Sequence, residues 1–284
     1  LALIIGRLQE DAIRPSVTGD AIALEVAGVS VVFGNTRAVD DVSLGVDAGT
    51  IVGLIGPNGA GKTTLLDAVS GLSPARGRIL VSGTDVSRWS PDRRARHGLG
   101  RTFQDARLFP RMTTREVVRV AAAVDQRPHI LLDAVVPPGL RRSEHRIAQR
   151  TEAAIELTGL GEYADAPVAV LSTGTRRMVE IACLVAGGGG LLLLDEPTAG
   201  LAQREVEAFP PVLVALREHL AATIVVVEHD VAMLSRACDR LVCLEAGRVI
   251  ADGSPDAVRS EAGVIESYLG PDPTAIERSG EMGE

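Results

Sequence analysis

Lysine is almost missing from this 284-residue sequence: of 29 basic residues only Lys62 is one, and the rest are arginine. A composition that uses arginine everywhere else raises the question of what a planar guanidinium could not do at position 62. Positive charge as a whole is also scarce. With a net charge of −8, the chain lacks the basic face that binding to a phosphate backbone demands, so no nucleic-acid partner is expected. Cysteine is limited to Cys183, Cys238 and Cys243. An odd number without a CxxC pair or neighbouring histidines excludes a disulfide framework and a zinc site, and leaves three buried apolar thiols in a reducing cytoplasm as the expectation. No uninterrupted apolar run reaches the roughly 18 residues of a membrane span. The nearest, 181–194, is broken by the four glycines 187–190.

What is there is apolar: 46% of the residues are hydrophobic, ample for a large buried core. Residues 1–21 carry Pro15 and Gly19 and read as a tail or linker. The chain opens on Leu1, and LALII is too short and too poorly flanked for a signal peptide. It is therefore expected to be a fragment or a processed product. From residue 22 the runs IALEV, VSVVF, TIVGLI and GRILVSGTDV predict strands. Residues 113–160 show helical spacing, broken at Pro137 and Pro138, and predict a helical insertion. Then LLLLD, a helix to about Leu220, TIVVVEH, the helix DVAMLSRAC and RLVCLEAGRVIADG alternate strand with helix. That alternation implies an α/β fold with a mostly parallel sheet covered on both faces.

The chemistry concentrates in GLIGPNGAGKTTLL, where Gly56, Gly61, Lys62 and Thr63 stand in the spacing G-x-x-x-x-G-K-[ST], after an apolar strand and at a helix start. The alternative is a glycine-rich turn with a solvated lysine. A single lysine placed at random would meet these three neighbours with a chance of roughly one in a thousand, so that alternative is rejected. The loop residues Asn58, Gly59, Ala60, Gly61, Lys62, Thr63 and Thr64 are the candidates to cradle a phosphate. Backbone N–H groups and the helix N-terminus supply positive potential, Lys62 reaches the outer phosphates, and the Thr63 hydroxyl can ligate Mg²⁺. LLLLDEP ends an apolar strand in Asp195 and Glu196. A carboxylate at the carboxyl end of a parallel strand is placed to hold Mg²⁺, which makes Asp195 the metal candidate, and Glu196 could polarise an attacking water. Taken alone, a DE pair is more often a solvated strand end, and a lone His229 after TIVVVE is more often structural.

Together these residues resemble the ABC ATPase family, over about 22–270. The decisive segment is LSTGTRRMVEIA at 171–182, similar to that family's signature sequence, although Ser172 also reads as an ordinary helix N-cap. The resemblance implies a P-loop NTPase core with an N-terminal antiparallel β subdomain and an inserted α-helical subdomain at about 105–175, leaving 271–284 as a C-terminal tail. It also implies ATP and Mg²⁺ as ligands. Ser172 and Gly174 would face the γ-phosphate bound by a second ATPase subunit, and Phe33 would stack on adenine. Gln104, in RTFQ, would touch Mg²⁺ and link the site to integral-membrane permease subunits, with fusion of this chain to an upstream permease left open by its start at Leu1. Glu196 becomes the catalytic carboxylate and His229 the switch histidine. The chain departs from the pattern at Thr173, Thr175 and Ala202. RTFQDARLFPRMTTREVV, VEHDVAML and VIESYLG are similar to ATPases of branched-chain or hydrophobic amino-acid importers, working at the cytoplasmic face of the inner membrane. Urea, amide or lipopolysaccharide transport, or a soluble non-transport ABC ATPase, are the alternatives.

Overall fold

The computed structural model describes residues 22–102, 108–124 and 138–264, with only the backbone of 138–142. The expected tails at 1–21 and 271–284, and Gln104, lie outside the described residues.

Two sheets carry the structure. Strands β1 (Ile22–Phe33), β2 (Thr36–Asp47), β4 (Arg76–Val81) and β5 (Thr84–Asp85) form an antiparallel sheet in the order β2-β1-β4-β5. The second sheet runs β10-β9-β3-β8-β7-β6, from β3 (Ile51–Ile55), β6 (Leu99–Arg101), β7 (Leu191–Asp195), β8 (Thr223–Val227), β9 (Arg240–Glu245) and β10 (Arg248–Gly253). Its pairings are parallel except β9 with β10. That exception is a hairpin turning at Ala246 and Gly247, both at positive φ, as a two-residue turn matched to strand twist requires.

The largely apolar character of β3, β7 and β8, interrupted only by Asp195 at the end of β7 and Thr223 at the start of β8, has a direct cause: all five positions of each are buried. Side chains alternate between faces. Leu191 and Leu193 enter a core with the antiparallel sheet and with Leu65, Leu66 and Val69 of helix α1 (Lys62–Ser70). Leu192 and Leu194 enter a second core on the opposite face. There they meet α3 (Thr114–Ala122), α4 (Pro138–Leu157), α5 (Thr173–Gly187) and α7 (Phe209–Leu220). The short helices α2 (Pro91–Arg96), α6 (Gln203–Glu207), α8 (Val231–Ser235) and α9 (Pro255–Ser260) complete the order.

Within the stretch expected to be helical, α3 opens with a reciprocal cap. Glu116 N–H donates to the Thr113 hydroxyl at 3.2 Å and Thr113 N–H to the Glu116 carboxylate at 2.8 Å. Pro138 begins α4, where its missing N–H costs nothing. The single helix expected up to Leu220 is instead two, α6 and α7, meeting at Ala208, with Pro210 and Pro211 in the first turn of the second. Burial pushes the thiols of Cys183 and Cys238 up to about 12, so both are inert apolar groups, although Cys183 is only half-buried. Among the described residues, no helix is long and apolar enough to cross a membrane.

Candidate functional site

The phosphate loop leaves β3 at Ile55 and enters α1 at Lys62. Two of its glycines are dictated by backbone packing. Gly56 has φ 144°, and a Cβ there would lie 2.1 Å from the Leu244 carbonyl oxygen of β9. Gly61 has φ 100°, and its Cβ would lie 2.3 Å from the Ala38 carbonyl oxygen of β2. Gly247 N–H also donates to the Ala60 carbonyl at 3.0 Å, so the loop is pinned from both sides. Gly61 caps α1 without a side-chain acceptor, which leaves the first N–H groups of the helix directed at the loop's mouth. The far end of α1 is closed by buried Arg94, whose guanidinium donates to the carbonyls of Ala68 and Val69, each at 2.7 Å.

Lys62 is buried, and its ammonium folds back to donate to the carbonyls of Gly56 at 2.6 Å and Pro57 at 3.0 Å. Burial lowers its pKa, while the field of Glu196 and Asp195 raises it. Among the described residues no carboxylate lies within ion-pair distance of that ammonium. A buried cation satisfied only by neutral carbonyls, beside exposed helix N–H groups, fits an anion arriving from outside.

Asp195 ends β7 and is 1% exposed. Thr63 Oγ1 donates to its Oδ1 at 3.2 Å, Arg101 Nη2 donates to its Oδ2 at 3.2 Å, and its own N–H donates to Thr102 Oγ1 at 3.0 Å. Burial pushes the Asp195 carboxyl above the ordinary carboxylate range, against the pull of Arg101 and Thr63. The Thr63 hydroxyl and the Asp195 carboxylate are hard oxygen donors on two different elements. Mg²⁺ suits such a pair, because it takes one or two protein oxygens and completes its shell with phosphate and water.

Glu196 has φ 47°, the left-handed region, which costs a non-glycine residue about 1 to 3 kcal/mol and persists only where surrounding bonds impose it. Its N–H donates to Val227 of β8 at 3.0 Å, its carbonyl accepts from Ala199 at 3.1 Å, and its Oε1 lies 3.0 Å from His229 Nε2. The turn thus lifts Glu196 out of the strand direction toward His229, whose side chain is 45% exposed.

Three further residues take part that the motifs did not single out. Buried Glu228 accepts from Thr198 N–H at 2.7 Å and from Thr198 Oγ1 at 2.6 Å, tying the end of β8 to the loop after Glu196. Burial raises its pKa, opposed by the donors of Thr198 and His229. Its position just beyond the apolar run Ile224 to Val227 was a usable signal. Arg101 carried none, because nearly every basic residue here is arginine.

Phe33 is 52% exposed at the end of β1, so a core role does not apply. It pairs with Thr36 at the start of β2, the strand whose Ala38 abuts Gly61. Ser172 caps α5, accepting from Thr175 N–H at 3.1 Å. A Cβ on Gly174 would lie 2.8 Å from Glu205 Oε1. Residues 56–64, Asp195, Glu196 and His229 therefore form one constellation. Among the described residues, no hydrogen bond or ion pair joins Ser172 or Gly174 to it. Ala202 sits at the start of α6, where its N–H donates to the Glu205 carboxylate at 2.8 Å.

Residues 39–199 match the model of the ABC transporter family. The chain is 35% identical over 248 residues to the high-affinity branched-chain amino acid transport ATP-binding protein BraF of Pseudomonas aeruginosa, covering 87% of this chain and 97% of that protein. It is 34% identical over 239 residues to the lipopolysaccharide export system ATP-binding protein LptB of Haemophilus influenzae, covering 84% and 93%. Among solved structures, cbiO1 of Clostridium perfringens, part of the ABC transporter complex cbiONQ, superposes with a TM-score of 0.72 at 27% identity over 91% of this chain and 100% of that one. With its phosphate loop, buried aspartate and strained glutamate, this chain belongs to the ABC transporter family, as an ATP-binding and ATP-hydrolysing subunit.

Proposed function

We propose that the chain drives solute import through a membrane permease by closing on ATP against a second ATPase subunit and reopening after hydrolysis. The observation that carries the catalytic part is the meeting of the Thr63 hydroxyl with Asp195 at 3.2 Å, next in sequence to a lysine held by carbonyls alone. In this reading the amides of Asn58, Gly59, Ala60, Gly61 and Thr64 cradle the triphosphate. Lys62 exchanges the carbonyls of Gly56 and Pro57 for phosphate oxygens. Thr63 and Asp195, with Gln104, would hold Mg²⁺, which would supply charge neutralisation at the terminal phosphates. Glu196 takes a proton from the attacking water, and His229 keeps that carboxylate oriented through the 3.0 Å contact.

Phe33, exposed beside the loop, stacks on adenine. Ser172 and Gly174 serve the partner subunit's nucleotide, in keeping with their lack of bonds to this chain's own loop. Such an arrangement is two-fold symmetric, and each ATP adds contacts across the interface, so binding shifts the equilibrium toward closure. The ATPase domain spans 22–270, with its helical subdomain at about 105–175 as the docking face for the permease. The protein works at the cytoplasmic face of the inner membrane. Branched-chain or other hydrophobic amino acids are the proposed cargo, on the strength of the likeness to BraF. The likeness to LptB, almost equal in identity and coverage, favours lipopolysaccharide as the second reading.

Glu196→Gln tests the mechanism. ATP turnover is expected to fall by about 10² to 10⁴-fold, with an ATP-bound dimer accumulating on size exclusion. Unchanged turnover would remove Glu196 from its role.

A further inference from the structure

We propose that Arg101 is a positioning residue for the metal-holding carboxylate, fixing Asp195 of β7 against the phosphate-loop helix α1. The proposal rests on the reading of Thr63 and Asp195 as the magnesium site. Its basis is the branching of one side chain. Arg101 Nη2 donates to Asp195 Oδ2 at 3.2 Å, while Nη1 donates to Ser70 Oγ at 2.6 Å and forms an ion pair with Asp67 Oδ1 at 2.7 Å. The guanidinium is 6% exposed and the Asp195 side chain 1%.

Asp67 and Ser70 lie on α1, the helix that carries Thr63. Arg101 therefore bridges the same two elements that Mg²⁺ would bridge through Thr63 and Asp195. The two carboxylate oxygens divide the work. Oδ2 is pinned by the guanidinium, which leaves Oδ1, on the Thr63 side, to meet the ion. The neighbouring residue holds the backbone as well, since Thr102 Oγ1 accepts from Asp195 N–H. An aspartate this deeply buried would be an uncompensated charge without its arginine, free to turn away from Thr63. A lysine at 101 would keep the charge but gather its donors on one nitrogen, so it could not reproduce the separate Nη1 contacts to α1 and Nη2 contact to β7 in the same fixed geometry. Partners outside the first coordination sphere that orient a metal ligand in this way set the affinity of the site.

The test uses the full chain in a Glu196→Gln background, so that nucleotide stays unhydrolysed. Binding of a fluorescent ATP analogue is titrated with Mg²⁺ and measured again in EDTA. Arg101→Met is expected to raise the Mg²⁺ concentration for half-maximal binding by about 10 to 100-fold, with affinity in EDTA unchanged. Arg101→Lys recovers part of that loss. Asp67→Asn, at a partly exposed carboxylate that is safer for folding, shifts the Mg²⁺ response in the same direction by less. The proposal is overturned if Arg101→Met, or Asp67→Asn should the first variant not fold, responds to Mg²⁺ as the parent does. It is also overturned if affinity in EDTA drops by the same factor, which would make Arg101 a fold residue only. A parent whose nucleotide binding ignores Mg²⁺ would instead defeat the assignment of Thr63 and Asp195.

Discussion

Gly56→Ala separates a loop shaped by packing from a merely flexible one. The φ of 144° belongs to a region that alanine enters at a cost of about 1 to 3 kcal/mol. The new methyl would also sit 2.1 Å from the Leu244 carbonyl oxygen, more than 1 Å inside ordinary contact, with the Ala60 Cβ at 3.2 Å on another side. Leu244 is fully buried in β9 and cannot move away freely. Forcing a group into such a site costs about another 1 to 3 kcal/mol, so roughly 2 to 6 kcal/mol must appear somewhere. Two outlets exist. If the loop keeps its shape, the cost falls on folding, and the thermal midpoint drops by about 2 to 4 °C per kcal/mol. If the loop opens to relieve the overlap, the fold is spared and ATP affinity falls about tenfold for each 1.4 kcal/mol. Thermal unfolding and ATP calorimetry on the same preparation measure both outlets. A midpoint shifted by less than about 2 °C together with wild-type affinity would refute the reasoning, because the strain would have gone nowhere.

Lys62→Arg asks directly why this one lysine is retained. The ammonium is buried between two carbonyls of its own loop, and the wider guanidinium should not fit, so calorimetry is expected to show ATP affinity reduced about tenfold or more. Phe33→Ala is expected to weaken ATP and ADP alike by about 1 to 3 kcal/mol of lost stacking. Because the ring is half exposed, stability should change by less than about 0.5 kcal/mol; an unaffected affinity would end the adenine assignment. Glu228→Gln addresses pH. Burial raises the folded-state pKa of Glu228 above the ordinary 4.5. Its contribution to stability is therefore full below that value and is lost as pH rises through the folded value. A neutral glutamine should flatten the decline of stability with pH above 4.5, leaving the parts due to Asp195 and Glu180, which shift the same way. An unaltered slope in urea unfolding would contradict this.

The elements the sequence made legible are those with strong local constraint. The runs at 51–55, 191–194 and 224–227 carry no polar side chain because both sheet faces are covered, so they could be taken as buried parallel strands without knowing their partners. The phosphate loop was legible because close backbone approach demands glycine at 56 and 61. The three-residue strand β6 was not legible, since Leu-Gly-Arg carries no periodicity and its pairing to β7 comes from 92 residues away. The same holds for Arg101 and Glu228, whose roles come from tertiary partners on other elements. The break between α6 and α7 could have been taken from Pro210 and Pro211, which favour a new helix start over a continued one.

The central claim is that residues 56–64 grip a triphosphate with Lys62, and that Thr63 and Asp195 hold its metal. A crystal structure grown with a non-hydrolysable ATP analogue and Mg²⁺ tests it most directly. The account predicts the Lys62 ammonium moved from the carbonyls of Gly56 and Pro57 onto phosphate oxygens, with the ion between Thr63 Oγ1 and Asp195. Nucleotide bound elsewhere, with Lys62 still on its two carbonyls, would contradict it.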